Sequence, residues 1–394
     1  MVRAYSIDLN TVNQLVLRKQ HLTDDTRIDK IVQIARDIGG LHATEPLTPY
    51  LSLYARTRNF NKDHLDAELH IKRSLASIRY VRNTLYILPK DMIPMAFAAT
   101  KQMVEKNSRG FAEFRGISPE DYEATSRSIL DILRGKEMSI FEIKKALNTH
   151  LNVPAILNLM CDQGMLVRGR REKGWEDRNH KYSIFNEYLP DVDLTNIEES
   201  EARTSLIEYY IHSFGPVTIN DIAWWTGLGK TEVRQAIGSN PGEMLHIEIS
   251  GVKSNLMLMR SDWNILNNMG TSNVPVVNLL PRLDPYLMGY KERQCYLDSE
   301  NYEMVFDRTG NATSTILVDG RVVGVWDYDK GDIPLVKTYL FEEMDESVHN
   351  RIRSEARKLG EFISGKEIQL RECDSMVPLP RRTAGGFMSP LRDC

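Results

Sequence analysis

Cysteine is scarce in this chain. The four residues are Cys161, Cys295, Cys373 and Cys394, with no CxxC spacing and no nearby His to complete a zinc ligand set. No metal or cofactor is therefore expected, and four scattered thiols in 394 residues suit a reducing cytoplasm. Long apolar runs are missing too. None approaches the about 18 residues that would cross a bilayer. The start, Met1-Val2-Arg3-Ala4-Tyr5-Ser6, lacks the apolar core of a signal peptide. An excess of basic charge is also absent. Lys and Arg number 50 against 54 Asp and Glu, a net charge of −4. That argues against wholesale wrapping of nucleic acid and leaves a local basic channel open. Nothing reads as a dimer seam, so a monomer is expected.

What is present is ordinary for a globular chain: 42% hydrophobic and 26% charged residues, enough for a core without staples. The length suggests roughly two to four domains. One stretch organises the rest: Gly39-Gly40-Leu41-His42-Ala43-Thr44-Glu45-Pro46. An amphipathic helix over 28–38 precedes it, with Ile28, Ile31, Ile34, Ala35 and Ile38 on one face. The glycines end that helix, and Pro49 opens the next. If the segment is extended, His42 and Thr44 share a face. A plain helix–helix connection is the competing reading.

The pattern predicts an α+β chain of tandem winged-helix (helix-turn-helix) domains followed by a small C-terminal β-rich domain. The first winged-helix-like unit covers 1–106, with two short strands within 74–88. There Arg79 and Arg82 are either exposed basics or phosphate contacts. The second covers 107–195: Ser139 and Glu142 form a capping box, Pro154 opens a helix, and a basic hairpin follows. Residues 168–181 hold six Lys or Arg against three acids, so Arg168, Arg170, Arg171 and Lys173 read as DNA phosphate contacts. A solvated hairpin tip is the alternative. The third unit covers 196–270, with Thr218 capping a helix that contains Trp224 and Trp225, both read as packing residues. The C-terminal β domain covers 271–365. Strands are expected at 276–280, 304–306, 315–318 and 322–326, with an Asp319-Gly320 hairpin turn and a closing helix near 346–362. The tail, 366–394, is rich in Pro, Gly and Arg and is expected to be poorly ordered.

Four motifs, in order, resemble the AlkZ/YcaQ-type winged-helix DNA glycosylases. They are Gly40-Leu41-His42-Ala43-Thr44-Glu45-Pro46 with Tyr50-Leu51-Ser52-Leu53-Tyr54-Ala55-Arg56, then Val81-Arg82-Asn83-Thr84-Leu85-Tyr86-Ile87-Leu88. Leu279-Leu280-Pro281-Arg282-Leu283-Asp284-Pro285-Tyr286 and Thr315-Ile316-Leu317-Val318-Asp319-Gly320-Arg321-Val322-Val323-Gly324-Val325-Trp326 complete the set. The resemblance implies a fold curved around a DNA channel and hydrolysis of the N-glycosidic bond of alkylated purines, including bulky or cross-linked adducts. It implies a Gln-aliphatic-Gln or Gln-aliphatic-Asp triplet that holds the water. That triplet falls on His42-Ala43-Thr44. Asn83 stands where a Gly is usual and Tyr86 where a His is common.

His-Ala-Thr suits the chemistry, because an N7-alkylated purine is already a good leaving group. A neutral His can orient a water and, at its ordinary pKa, accept its proton. Thr44 offers a second hydrogen bond and Glu45 an electrostatic stabiliser. Arg82, Asn83 and Tyr86 are expected as DNA or pocket contacts. Asp284 belongs to the site or caps the turn at Pro285, and the cap is preferred. No lysine is placed for Schiff-base chemistry, so a monofunctional hydrolase on double-stranded DNA is expected. The alternative is a non-catalytic winged-helix DNA-binding protein, a regulator or damage sensor. A protein-interaction scaffold is a third reading.

Overall fold

The computed structural model describes residues 5–239, 242–249, 252–269, 274–379, 391 and 394. Helices and three sheets are mixed along the chain, an α+β architecture. The helix Ile31–Asp37 is shorter at its start than its apolar period suggests. Asp29, which lies in the missing turn, accepts instead from the backbone N–H groups of Arg58 and Asn59. Other predicted caps are in place. Ser139 and Glu142 exchange hydrogen bonds with each other's backbone, as do Thr218 and Asp221.

The strands Leu41–His42, Leu85–Pro89, Leu75–Arg79, Leu166–Arg171, His180–Ile184 and Met138–Ser139 form one six-stranded antiparallel sheet in that order. The hairpins of the first two expected units thus meet edge to edge at Ser77 and Arg168. Such pairing hides two strand edges from solvent. The helix Ile93–Phe114 runs unbroken through position 106, where a boundary was expected. The main core likewise ignores the expected units. It gathers Tyr86 of the six-stranded sheet and Tyr80 just beyond its strand Leu75–Arg79, Tyr210, Phe214 and Trp225 from the helices Glu199–Phe214 and Ile219–Thr226, and Tyr286 from the C-terminal region.

A three-stranded sheet takes its hairpin, Met244–Ile249 with Val252–Met259, from the third unit. Its third strand is Tyr5–Ile7 from the start of the chain, parallel to Met244–Ile249. The turn expected at Gly251 lies outside the described residues. The C-terminal sheet runs Val277–Leu280, Thr315–Val318, Arg321–Asp329, Leu335–Leu340 and Gln369–Glu372. Asp319 and Gly320 take φ of 49° and 82° between paired Val318 and Arg321, the turn their sequence predicts. The helix Glu346–Ser364 covers this sheet with Val348, Ile352, Ala356, Leu359 and Ile363.

Two expectations for this region are corrected. Residues 304–306 are not a strand: Met304 and Val305 complete a helical turn, Tyr302–Val305, and Phe306 makes an isolated bridge to Ala312. Three apolar residues carry no period to decide between the two. Asp307 then accepts from the N–H groups of Thr309 and Asn311, which folds Phe306 back onto Ala312. The tail is not uniformly loose. Gln369–Glu372 pairs in parallel with Leu335–Leu340, and Glu372 accepts from His349 Nε2 at 2.9 Å. Cys373 and Cys394 are joined in a disulfide, so only Cys161 and Cys295 are free thiols. Most of 380–393 lies outside the described residues. No helix among them is long and apolar enough to cross a membrane.

Candidate active site

Gly40 makes the site's geometry possible. Its φ is 92°, and a Cβ there would lie 2.5 Å from Leu88 and 3.1 Å from Tyr86. Only glycine admits both the backbone and the close approach. The chain therefore turns directly from helix into the edge strand Leu41–His42. The register pairs Leu41 with Ile87 and His42 with Tyr86. Pairing continues one residue further, with Ala43 N–H donating to Leu85 O at 2.8 Å.

His42 is 3% exposed. Its ring lies 5.0 Å from that of Tyr86, tilted by 58°. Nδ1 is buried and meets no hydrogen-bond partner among the described residues. Burial, reinforced by the charge of Arg82, takes the pKa from 6.5 down to about 3. The imidazole is therefore neutral at physiological pH. Its lowered basicity weakens the proton-accepting part of the expected role. A neutral nitrogen that accepts a hydrogen bond remains.

The sign of the linkage follows. Between about pH 6.5 and 3 the unfolded chain binds a proton at His42 that the native protein does not. Stability is complete above that window and falls as pH is lowered through it. His42→Gln is expected to flatten the slope between pH 4 and 6, by up to about 1.4 kcal/mol per pH unit. Urea unfolding at fixed pH measures this. His70 and His180, both lowered to about 4 by burial, keep part of the slope.

Arg82 and Asn83 form the tight turn before the strand Leu85–Pro89, with φ of 52° and 58°. Two successive non-glycine residues in the left-handed region cost roughly 1–2 kcal/mol each, least for Asn. Position 83, where the resemblance implies a Gly, is a left-handed position that Asn tolerates. Its Oδ1 is buried without a partner among the described residues. The Arg82 guanidinium lies 3.9 Å over the ring of Trp224. Sequence reading took Trp224 as packing only, and nothing in its local pattern tells of an arginine 142 positions away. Trp225 is a core residue, 1% exposed. Tyr86 is 2% exposed, and burial pushes its hydroxyl up to about 12, so it stays protonated.

The remaining candidates scatter. Thr44 is exposed in the bend after the strand, so the expected alternation with His42 ends at Ala43. Glu45 is held by Arg178 from the hairpin loop, through both carboxylate oxygens at 3.0 and 2.8 Å. Arg168 points inward, 7% exposed, and bonds Asn158 Oδ1 at 2.8 Å. Arg79 pairs with Asp162 at 3.3 Å. Arg171 spans the hairpin to the carbonyls of Trp175 and Asp177 at 3.2 and 2.9 Å. Arg170 and Lys173 are exposed. Asp284 has no exposure. It caps the turn at Tyr286 and pairs with fully buried Arg56 at 2.7 Å, away from solvent. Among the described residues, no group of three or more His, Cys, Asp or Glu gathers as a metal site.

The profile of the family described as DNA glycosylase AlkZ-like matches residues 35–362, which takes in His42, Arg82, Trp224 and Asp284. The chain belongs to the AlkZ-like DNA glycosylase family. Among curated proteins, the interstrand DNA cross-link repair glycosylase of Streptomyces sahachiroi is 27% identical over 134 residues. That alignment covers 33% of this chain and 35% of the relative, so the match spans about a third of its length. Among solved structures, the Streptomyces sahachiroi DNA glycosylase AlkZ aligns with a TM-score of 0.74 and 18% identity. It covers 93% of this chain and 100% of that one, a likeness of fold.

Proposed function

We propose that this protein is a monofunctional glycosylase that hydrolyses the N-glycosidic bond of alkylated purines in double-stranded DNA. Tandem winged-helix units carry the DNA, and exposed Arg170 and Lys173 contact phosphates. The observation that carries the reading is His42, buried and neutral at the water-holding position of the family, with Nδ1 unsatisfied by any described residue. Such a nitrogen holds a water by accepting from it. Thr44, exposed in the bend beyond Ala43, does not share that face and is given no role. In the reaction the C1′–N9 bond breaks, and its electron pair leaves on the purine and neutralises the N7 charge. The water oxygen bonds to C1′ and its proton passes to solvent. Glu45, already neutralised by Arg178, is given no role. The name of the Streptomyces sahachiroi relative, an interstrand DNA cross-link repair glycosylase, supports cross-linked DNA as a substrate class.

The test is incubation with duplex DNA carrying a single N7-methylguanine, and with a duplex carrying an interstrand purine cross-link. Free base or a resolved cross-link with an abasic site is the expected product. Tight, salt-sensitive binding without release of either base would favour the non-catalytic DNA-binding alternative.

A further inference from the structure

The geometry points to Trp224 as a positioning residue that presents the Arg82 guanidinium to a DNA phosphate beside the reacting nucleotide. The inference rests on the glycosylase reading only for the identity of that nucleotide. Arginines around the site already have protein acceptors. Arg79 has Asp162, Arg168 has Asn158, Arg171 has two carbonyls and Arg178 has Glu45. Arg82 differs. Among the described residues it forms no ion pair with a carboxylate, and its guanidinium stacks 3.9 Å over the Trp224 indole. Stacking fixes the plane of a guanidinium and leaves its N–H donors at the edge unspent, the arrangement that suits bidentate phosphate binding.

The backbone supports the same reading. Arg82 is held at φ 52° in a turn followed by Asn83 at φ 58°, a conformation that persists only where its surroundings fix it. The indole that faces it is itself fixed. It projects from the helix Ile219–Thr226, and Arg293 lies 5.6 Å from the same ring. Arg293 in turn packs 3.5 Å over Phe306 and donates to Tyr302 Oη at 2.6 Å and Gly310 O at 3.2 Å. The third unit and the C-terminal region thus brace the turn of the first unit, three residues before Tyr86, the cross-strand partner of His42. A nucleotide whose C1′ reaches His42 carries its phosphates one sugar away, and Arg82 is near enough to His42 for its charge to act on the imidazole.

The test is the salt dependence of binding by the full chain to duplex DNA carrying a tetrahydrofuran abasic analogue, which requires no base release. Arg82→Ala is expected to reduce the slope of log K against log salt by about 0.9, one phosphate contact, and to weaken binding about eightfold at 0.1 M salt. Trp224→Leu keeps apolar volume and removes the π face, so it is expected to reproduce both changes. Trp224→Phe is expected to restore most of the slope, and the Arg82→Ala, Trp224→Leu double variant to go no further than either single one. A wild-type slope in Trp224→Leu, or additive losses in the double variant, overturns the proposal. Loss of slope in a protein that releases no base would keep this inference and fail the glycosylase reading instead.

Discussion

His42→Ala is expected to slow base release from an N7-methylguanine duplex by about 10²–10³-fold under single-turnover conditions. Affinity for the same duplex is expected to stay within about twofold. The size of the effect comes from what His42 can and cannot do. Its side chain is 3% exposed and its pKa lies near 3, so it carries no charge toward the phosphates and gives little to binding. On the proposed reading its contribution is one acceptor for the water, beside a leaving group that already bears positive charge. Loss of one oriented hydrogen-bonding group in a buried site accounts for two to three decades, not more. His42→Gln is the informative companion. A side-chain amide also accepts a hydrogen bond and does not titrate, so release is expected within about tenfold of wild type. Its rate, like that of wild type, is expected to show no inflection near pH 6.5. Unchanged release by His42→Ala would remove the water from this strand altogether.

A second large effect is expected at Asp284, on stability. Its carboxylate accepts from Arg56 Nη1 and Nη2 at 2.9 and 2.7 Å, from Ser52 Oγ at 2.6 Å and from Tyr286 N–H at 3.0 Å. Both charged side chains have zero exposure. Asp284→Ala leaves the Arg56 cation uncompensated in the core, which costs about 3–5 kcal/mol in denaturant unfolding. Replacing both partners by apolar residues, Arg56→Met with Asp284→Leu, is expected to recover much of that loss, because no buried charge remains. The pair ties the helix Thr48–Tyr54, which follows the His42 segment, to the turn at Pro285. Base release by Asp284→Asn is therefore expected to fall only as far as the fraction folded. Full stability with abolished release would instead place Asp284 in the chemistry.

Much of the local structure was legible before any coordinates. Periodicity located the helices around the site, and Gly39-Gly40 and Pro49 marked where one helix ends and the next begins. Capping residues at Ser139, Thr218 and Asn152 fixed helix starts because their side chains act on the N–H groups of the next turn. Asp319-Gly320 announced its hairpin because few other dipeptides take two left-handed residues in succession. These are interactions over a few residues, and a linear sequence records them directly. The motif that carries His42 was visible for the same reason.

What the tertiary structure alone decided is which of those segments meet. No local pattern shows that Tyr5–Ile7 pairs with a strand about 240 residues later, or that the two basic hairpins fuse through Ser77 and Arg168. Burial decided the rest. The charge count of a hairpin does not say which arginine points inward, so Arg168 and Arg170 looked alike in sequence and differ in fact. His42 lost its basicity to desolvation, a property of everything packed around it and not of its neighbours in the chain. Trp224 came beneath Arg82 because two units share one core. Sequence named the candidates, and long-range packing assigned each of them its exposure and its partner.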